Sequence, residues 1–283
     1  MPDELICQVC FRHCRLSEGQ TGVCRARRNE NGKLASANYG MLTALALDPI
    51  EKKPLNRFYP GSKILSVGSF GCNLKCPFCQ NAEISLADGR QIPEAEFVPP
   101  EILVQIAQKY RSEGNIGLAF TYNEPLVGYE YVRDAAKLCH EAGMKNVLVT
   151  NGCISLPVLE EILPYTDAMN IDLKCFRGEY YRDVLKGDFE MVKGFIQRAV
   201  SVCHVELTTL VIPTENDSEE EMVKLSGWIA ELEKKSGRQI PLHISRFFPM
   251  SRYANRQPTP PESVYRLAEV ARKKLQFVYE GNV

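Results

Sequence analysis

Apolar and polar positions along the chain switch between two periods, and that switch is its main architectural signal. Short apolar or alternating runs predict β-strands at 64–70, 116–122, 146–150, 168–173, 205–212 and 242–247. Between them, apolar residues recur three and four apart and predict amphipathic helices at 100–111, 126–142, 156–163, 189–202 and 218–235. A last helix at 261–274 follows the sixth strand. Strand and helix in strict alternation argue for a parallel α/β sheet. Residues 32–63 read as short strands and turns, punctuated by Asp48-Pro49, Lys53-Pro54 and Tyr59-Pro60-Gly61. They predict a lead-in hairpin that delivers the chain to the first long strand.

At 283 residues with 45% hydrophobic content, the chain suits one large domain with an appendage. The expected division is a Cys-rich segment at 1–34, lead-in strands and turns at 35–63, and the α/β body at 64–283. A formal net charge of −1 calls for neither a nucleic acid nor an anionic membrane as partner. No apolar run approaches the roughly 20 residues of a membrane span, and MPDELICQ has no signal-peptide pattern, so a cytoplasmic protein is expected. In that reducing compartment, eleven cysteines fit metal binding better than disulfides.

Two cysteine groups carry the candidate chemistry. Cys72, Cys76 and Cys79 form a C-x3-C-x2-C array directly after the first long strand. Thiolates at such spacing wrap iron–sulfur clusters or zinc, and three ligands leave one coordination position open, as a site built for chemistry does. Cys7, Cys10, Cys14 and Cys24 form C-x2-C-x3-C-x9-C, four thiols in eighteen residues, which suggest a second metal site. A closed zinc site and an auxiliary iron–sulfur cluster would each use all four. Cys139, Cys153, Cys175 and Cys203 lack ligand spacing and read as small hydrophobes, with Cys153 and Cys175 just past strand ends. Arg246, Arg252 and Arg256, among Phe247, Phe248 and Tyr253, suggest a basic aromatic loop at the open mouth that suits a substrate carboxylate or phosphate.

The thiol array, with Phe78 just before its last cysteine, resembles the signature loop of radical S-adenosylmethionine (radical SAM) enzymes. The six strand–helix units resemble that family's partial (β/α)6 TIM-like barrel, here with a small Cys-rich N-terminal metal-binding appendage. The resemblance implies that Cys72, Cys76 and Cys79 hold a [4Fe–4S] cluster whose fourth iron chelates S-adenosyl-L-methionine. One electron then releases a 5′-deoxyadenosyl radical that abstracts hydrogen from a substrate.

Further cofactor contacts follow residue by residue from the same resemblance. Asn123 and Glu124 match the end of a Gly-Gly-Glu-Pro-like motif, with Tyr122 and Asn123 standing where the family has glycines. Asn151 falls in a Thr-Asn-Gly similar to that of pyruvate formate-lyase activating enzymes, preceded by Val149 where those enzymes have a carboxylate. Asp172 and Lys174 match their Asp-x-Lys, and His243 matches a histidine on the sixth strand. Along its length the chain resembles the AmmeMemoRadiSam-system radical SAM proteins, whose members usually continue past Tyr-Glu-Gly-Asn-Val into a Cys-bearing tail. An electron donor such as flavodoxin or ferredoxin is implied, and the substrate, small molecule or protein, is not readable. A glycyl-radical-enzyme activase and a non-catalytic iron–sulfur redox or binding module are the alternatives.

Overall fold

The computed structural model describes residues 4–85 and 95–283. Two small antiparallel hairpins come first, β1 (Leu5–Ile6) with β2 (Arg15–Leu16) and β3 (Arg27–Glu30) with β4 (Lys33–Ser36). β5 (Met41–Leu42) leads to β6 (Ala44–Pro49), which pairs antiparallel with β7 (Lys63–Gly68). β8 (Glu96–Phe97) returns to pair with β5. The body then alternates helices with β9 (Asn115–Thr121), β10 (Lys145–Thr150), β11 (Ala168–Asp172), β12 (His204–Val211), β13 (Leu242–Arg246) and β14 (Val278–Gly281).

These strands form one eight-stranded sheet in the order β14-β13-β12-β11-β10-β9-β7-β6, parallel except at β6. Parallel neighbours need crossovers, and each crossover helix lays an apolar stripe on the sheet. The helix Tyr129–Glu141, for example, buries Tyr131, Val132, Ala135, Ala136 and Cys139. The strands are covered on both faces, which is why they read as apolar runs; five of the six residues of β7 are buried. The two edge strands, β6 and β14, do not bond to each other, so the fold is a partial TIM-like barrel.

Seven parallel strands replace the six expected. The pattern missed β14 because it is four residues long and lies at the end of the chain, too short to show a period. The strand predicted at 64–70 stops at Gly68, where the backbone turns into the thiol loop. At the helix predicted from 218, Ser218 is the cap, its side chain accepting from the Glu221 N–H at 3.2 Å. Asn216 and Asp217 close the preceding turn.

Residues 50–58, expected to lead in, do more: they cross the amino-terminal end of the sheet and seal it. Ile50 and Leu55 are fully buried in a small core with Ile64, Ala119, Val147 and Ala168. Asn170 donates to the Pro54 carbonyl at 2.9 Å. The fully buried Glu206 of β12 accepts the N–H groups of Asn56 (3.0 Å) and Arg57 (2.7 Å), and bonds His243 at 2.6 Å and His204 at 2.9 Å. Burial pushes this carboxyl up, but the two histidines and the Arg57 N–H outweigh burial and bring it from 4.5 down to about 2.

A depressed carboxylate contributes stability that is present above its unfolded value and lost as pH falls through its folded one. Urea unfolding should therefore show a loss on the order of 3 kcal/mol between pH 4.5 and 2 from this group. Glu206→Gln should lack that component, and a variant with the same acid limb as the parent would refute the role assigned to Glu206.

Candidate active site

The thiol loop has little regular structure of its own, so its backbone groups must be satisfied from outside. Gly71 opens it at φ +93°, a left-handed conformation, and a Cβ there would meet the Cys24 carbonyl oxygen at 2.6 Å. That close approach lets the Cys72 N–H donate to the Cys24 carbonyl at 3.1 Å. The Gly71 N–H donates to Ile84, and the Lys75 N–H to Leu185 at 2.8 Å. Arg12, from the N-terminal segment, donates to the Asn73 and Lys186 carbonyls at 2.8 and 2.7 Å.

Asn123 and Glu124, expected at the cofactor, have side chains already engaged. The Asn123 amide donates to the carbonyls of Phe70 and Gly71 at 3.1 Å each and accepts the Ser69 N–H, clamping the approach to Cys72. Glu124, buried, accepts Thr150 Oγ1 at 2.8 Å, Asn151 N–H at 2.7 Å and Leu126 N–H at 3.1 Å. It ties the end of β9 to the end of β10, and burial pushes its carboxyl up to about 7 despite those bonds.

Tyr122, at a position where the resemblance places a glycine, is left-handed, with φ +74°. Such a conformation costs about 1 kcal/mol or more in a residue with a side chain. The cost is offset by bonds at both ends. The phenol donates to Asp48 at 3.0 Å, the ring lies 4.8 Å from the Lys53 ammonium, and the carbonyl accepts the Asn81 amide at 2.8 Å just beyond Cys79. Asp48 also takes Lys53 at 2.9 Å and Ser66 at 2.8 Å. Burial alone would raise this carboxyl, yet those donors hold it well below the usual range.

Cys72, Cys76 and Cys79 line a cavity of about 780 Å³ that runs from the carboxyl ends of the parallel strands to Lys53, Pro54 and Asn56 of the floor segment, with Asn123, Glu124, Asp172, Lys174 and His243 on its walls and Phe78 beside the thiols. Burial pushes the Cys76 thiol up to about 11, opposed by the Lys174 ammonium nearby. Lys174 bonds Asp172 at 2.8 Å, so this pair is an ion pair inside the mouth. Asn151 places its amide 3.6 Å from Cys72 Sγ and 2.9 Å from the Asn73 side chain. His243 reaches the cavity wall, stacked on Tyr279 at 5.3 Å, with its Nε2 held by Glu206. Val149 lines the cavity too, leaving no carboxylate at that position.

The sequence carries no signal for Asn73 and Asn81, which hold the loop from within, or for Glu206. An asparagine beside a cysteine has no spacing rule to betray it. The expected basic loop is a correction: Arg246, Arg252 and Arg256 do not line this cavity. Arg246 donates to the Thr259 carbonyl, Arg252 to the Lys75 carbonyl, and Arg256 pairs with Glu215, so bonds within the fold hold all three away from the cavity.

Among the described residues, no three His, Cys, Asp or Glu side chains are closed into a metal-holding arrangement. The donor set still fits an iron–sulfur cluster. Three soft thiols on one loop face a volume large enough for a cluster and a nucleoside cofactor, with an amide and an ammonium turned toward the sulfurs.

A parallel-sheet enzyme with its thiol loop after the first parallel strand is the class that fold and site define. The family model described as the Radical SAM superfamily matches residues 66–226, more than half of the chain. An uncharacterized protein of Methanocaldococcus jannaschii is 39% identical over 279 residues, covering 98% of this chain and 81% of that protein. The pyruvate formate-lyase-activating enzyme of Clostridium pasteurianum is 26% identical over 164 residues, 57% of this chain and 67% of the enzyme. Among solved structures, Streptococcus suis SuiB bound to S-adenosylmethionine superposes with TM-score 0.55 at 13% identity, covering 74% of this chain and 47% of SuiB. A domain of a Bacteroides vulgatus pyruvate-formate lyase-activating enzyme gives TM-score 0.50 at 18% identity over 59% of this chain and 99% of the domain.

The chain belongs to the radical SAM superfamily and is related to pyruvate formate-lyase activating enzymes. It is an enzyme, an oxidoreductase in the broad sense, and its superfamily implies a [4Fe–4S] cluster, S-adenosylmethionine and a reductant. No helix among the described residues is long and apolar enough to cross a membrane.

The contact at Gly71 is testable. Gly71→Ala should lose roughly 1–3 kcal/mol in urea unfolding, from the left-handed backbone and the clash with a main-chain oxygen. It should also retain less iron after reconstitution. Unchanged stability and iron content would mean that the loop does not depend on this approach.

Proposed function

We propose that the enzyme reductively cleaves S-adenosylmethionine at a [4Fe–4S] cluster on Cys72, Cys76 and Cys79, and uses the 5′-deoxyadenosyl radical to take hydrogen from a substrate. The observation that carries this reading is the meeting of the three thiols and the Asp172–Lys174 pair in one 780 Å³ cavity at the strand ends. A cluster bound there supplies the electron that breaks a sulfonium C–S bond. The chain's own residues bind and orient. The Lys174 ammonium and Asp172 carboxylate suit the carboxylate and amine of the amino-acid part of the cofactor through charge-assisted bonds. Asn151 donates toward the Cys72 sulfur, which would hold the cluster, and Phe78, 5% exposed, screens the loop from water. Asn123 and Glu124 brace the loop and the strand ends rather than reach the cofactor themselves. His243, fixed by Glu206, faces the remaining volume, where a substrate would lie. A protein donor such as flavodoxin or ferredoxin is the proposed source of the electron.

We also propose a second metal site on Cys7, Cys10, Cys14 and Cys24, taking zinc or an auxiliary iron–sulfur cluster. Its support is the thiol density and the fold of the segment. The Cys7 N–H closes on the Cys14 carbonyl at 2.9 Å, and the Cys10, Cys14 and Cys24 thiols are close enough to influence one another. The relation to pyruvate formate-lyase activating enzymes favours one further reading, activation of a glycyl-radical partner. Transfer of deuterium from labelled protein glycine into 5′-deoxyadenosine would support it.

The decisive assay is anaerobic reconstitution, reduction with dithionite and addition of S-adenosylmethionine. The parent should form 5′-deoxyadenosine and methionine, and Cys76→Ala should form neither; cleavage retained by Cys76→Ala would refute the assignment. For the second site, Cys24→Ala should lose metal relative to the parent while the far-ultraviolet circular dichroism stays native. Equal metal content in the two proteins would remove that site.

A further inference from the structure

A second cavity, about 390 Å³, opens at the end of the sheet away from the thiols. It forms where β12 begins at His204 and where the chain enters β13 and β14, with Ile240, Pro241 and Phe277 as an apolar wall. Arg57, from the segment that seals the sheet, and Arg238 stand at its rim, both exposed, and no acidic side chain lines it. The Arg57 guanidinium lies 4.2 Å from the centroid of the Phe277 ring. Arg238 gives one N–H to the Cys203 carbonyl at 3.0 Å. Neither arginine has a carboxylate partner among the described residues.

We propose that this cavity binds an organic anion, a carboxylate or phosphate monoester carried on an aromatic or apolar body. Two guanidiniums with N–H groups to spare present the fork geometry that takes such anions in bidentate fashion. The apolar wall would bury the body of the ligand. Stacking on Phe277 fixes the plane of Arg57 before any ligand arrives, which lowers the ordering cost of binding. The site is also wired to the active cavity. The Arg57 N–H donates to one Glu206 oxygen at 2.7 Å, and the other oxygen holds His243, on the active-cavity wall, at 2.6 Å. An occupant that shifts Arg57 would therefore act on the carboxylate that positions His243.

Isothermal titration of the holoprotein with phenyl phosphate, benzoate, inorganic phosphate and benzyl alcohol tests this. Saturable binding is expected for the two aromatic anions, at least ~tenfold tighter than for inorganic phosphate, with none for benzyl alcohol. The preferred aromatic anion tells phosphate from carboxylate. Arg57→Gln and Arg238→Gln should each weaken binding about tenfold or more. Gln239→Glu, which adds a negative charge at the rim and gives up only the exposed bond from the Gln239 amide to the Gln276 side chain, should do the same if either arginine variant folds poorly. The proposal is overturned if no anion binds at millimolar concentration, or if all three variants bind as the parent does.

Discussion

Three sulfurs must be held at one place on a loop that cannot hold itself. The loop makes few backbone bonds of its own, so each N–H and carbonyl has to find a partner elsewhere in the molecule. The partners come from several directions: the N-terminal segment through Cys24 and Arg12, the end of β9 through Asn123, the helical segment that ends at Leu185, and the stretch after Cys79 through Ile84. The N-terminal segment is thus part of the architecture of the active site. A change at Arg12, outside the loop, acts on them through main-chain contacts, as does one at Gly71 beside Cys72.

A second constraint lies at the other end of the sheet. A parallel barrel that stays open at its side needs its floor closed as well, and residues 50–58 do this with two buried aliphatics and a carboxylate that no exposed position could hold in this state. Glu206 and Asp48 are the buried anions of that floor. Each is matched by several donors, as burial of a charge requires. Tyr122 joins floor to loop: its phenol binds Asp48, and its carbonyl binds Asn81.

The periodicity of the chain was enough to read the parallel sheet, because strands covered on both faces carry continuous apolar runs whose length and spacing are visible one residue at a time. The thiol loop was legible for a different reason: ligand spacing is local. Lys174 and Asp172 were also legible, since two charges that end an apolar strand stand out, and both line the mouth. What stayed hidden was non-local. Asn123 lines the cavity with the thiols, but that its amide also clamps carbonyls more than fifty residues away in sequence could not be read from its position. Nothing in the sequence pairs the arginines near the carboxyl end of β13 with Thr259, Lys75 and Glu215, whose bonds hold them off the cavity. Four-residue β14 was below the length at which alternation means anything.

The central claim is that the three thiols share one cluster whose open iron faces the cavity. Low-temperature electron paramagnetic resonance of the reduced protein, recorded before and after adding S-adenosylmethionine, tests it most directly. The account predicts a [4Fe–4S]⁺ signal whose g-values move on addition, because the cofactor completes the coordination of the fourth iron. A well-loaded cluster with a spectrum that does not change would contradict it.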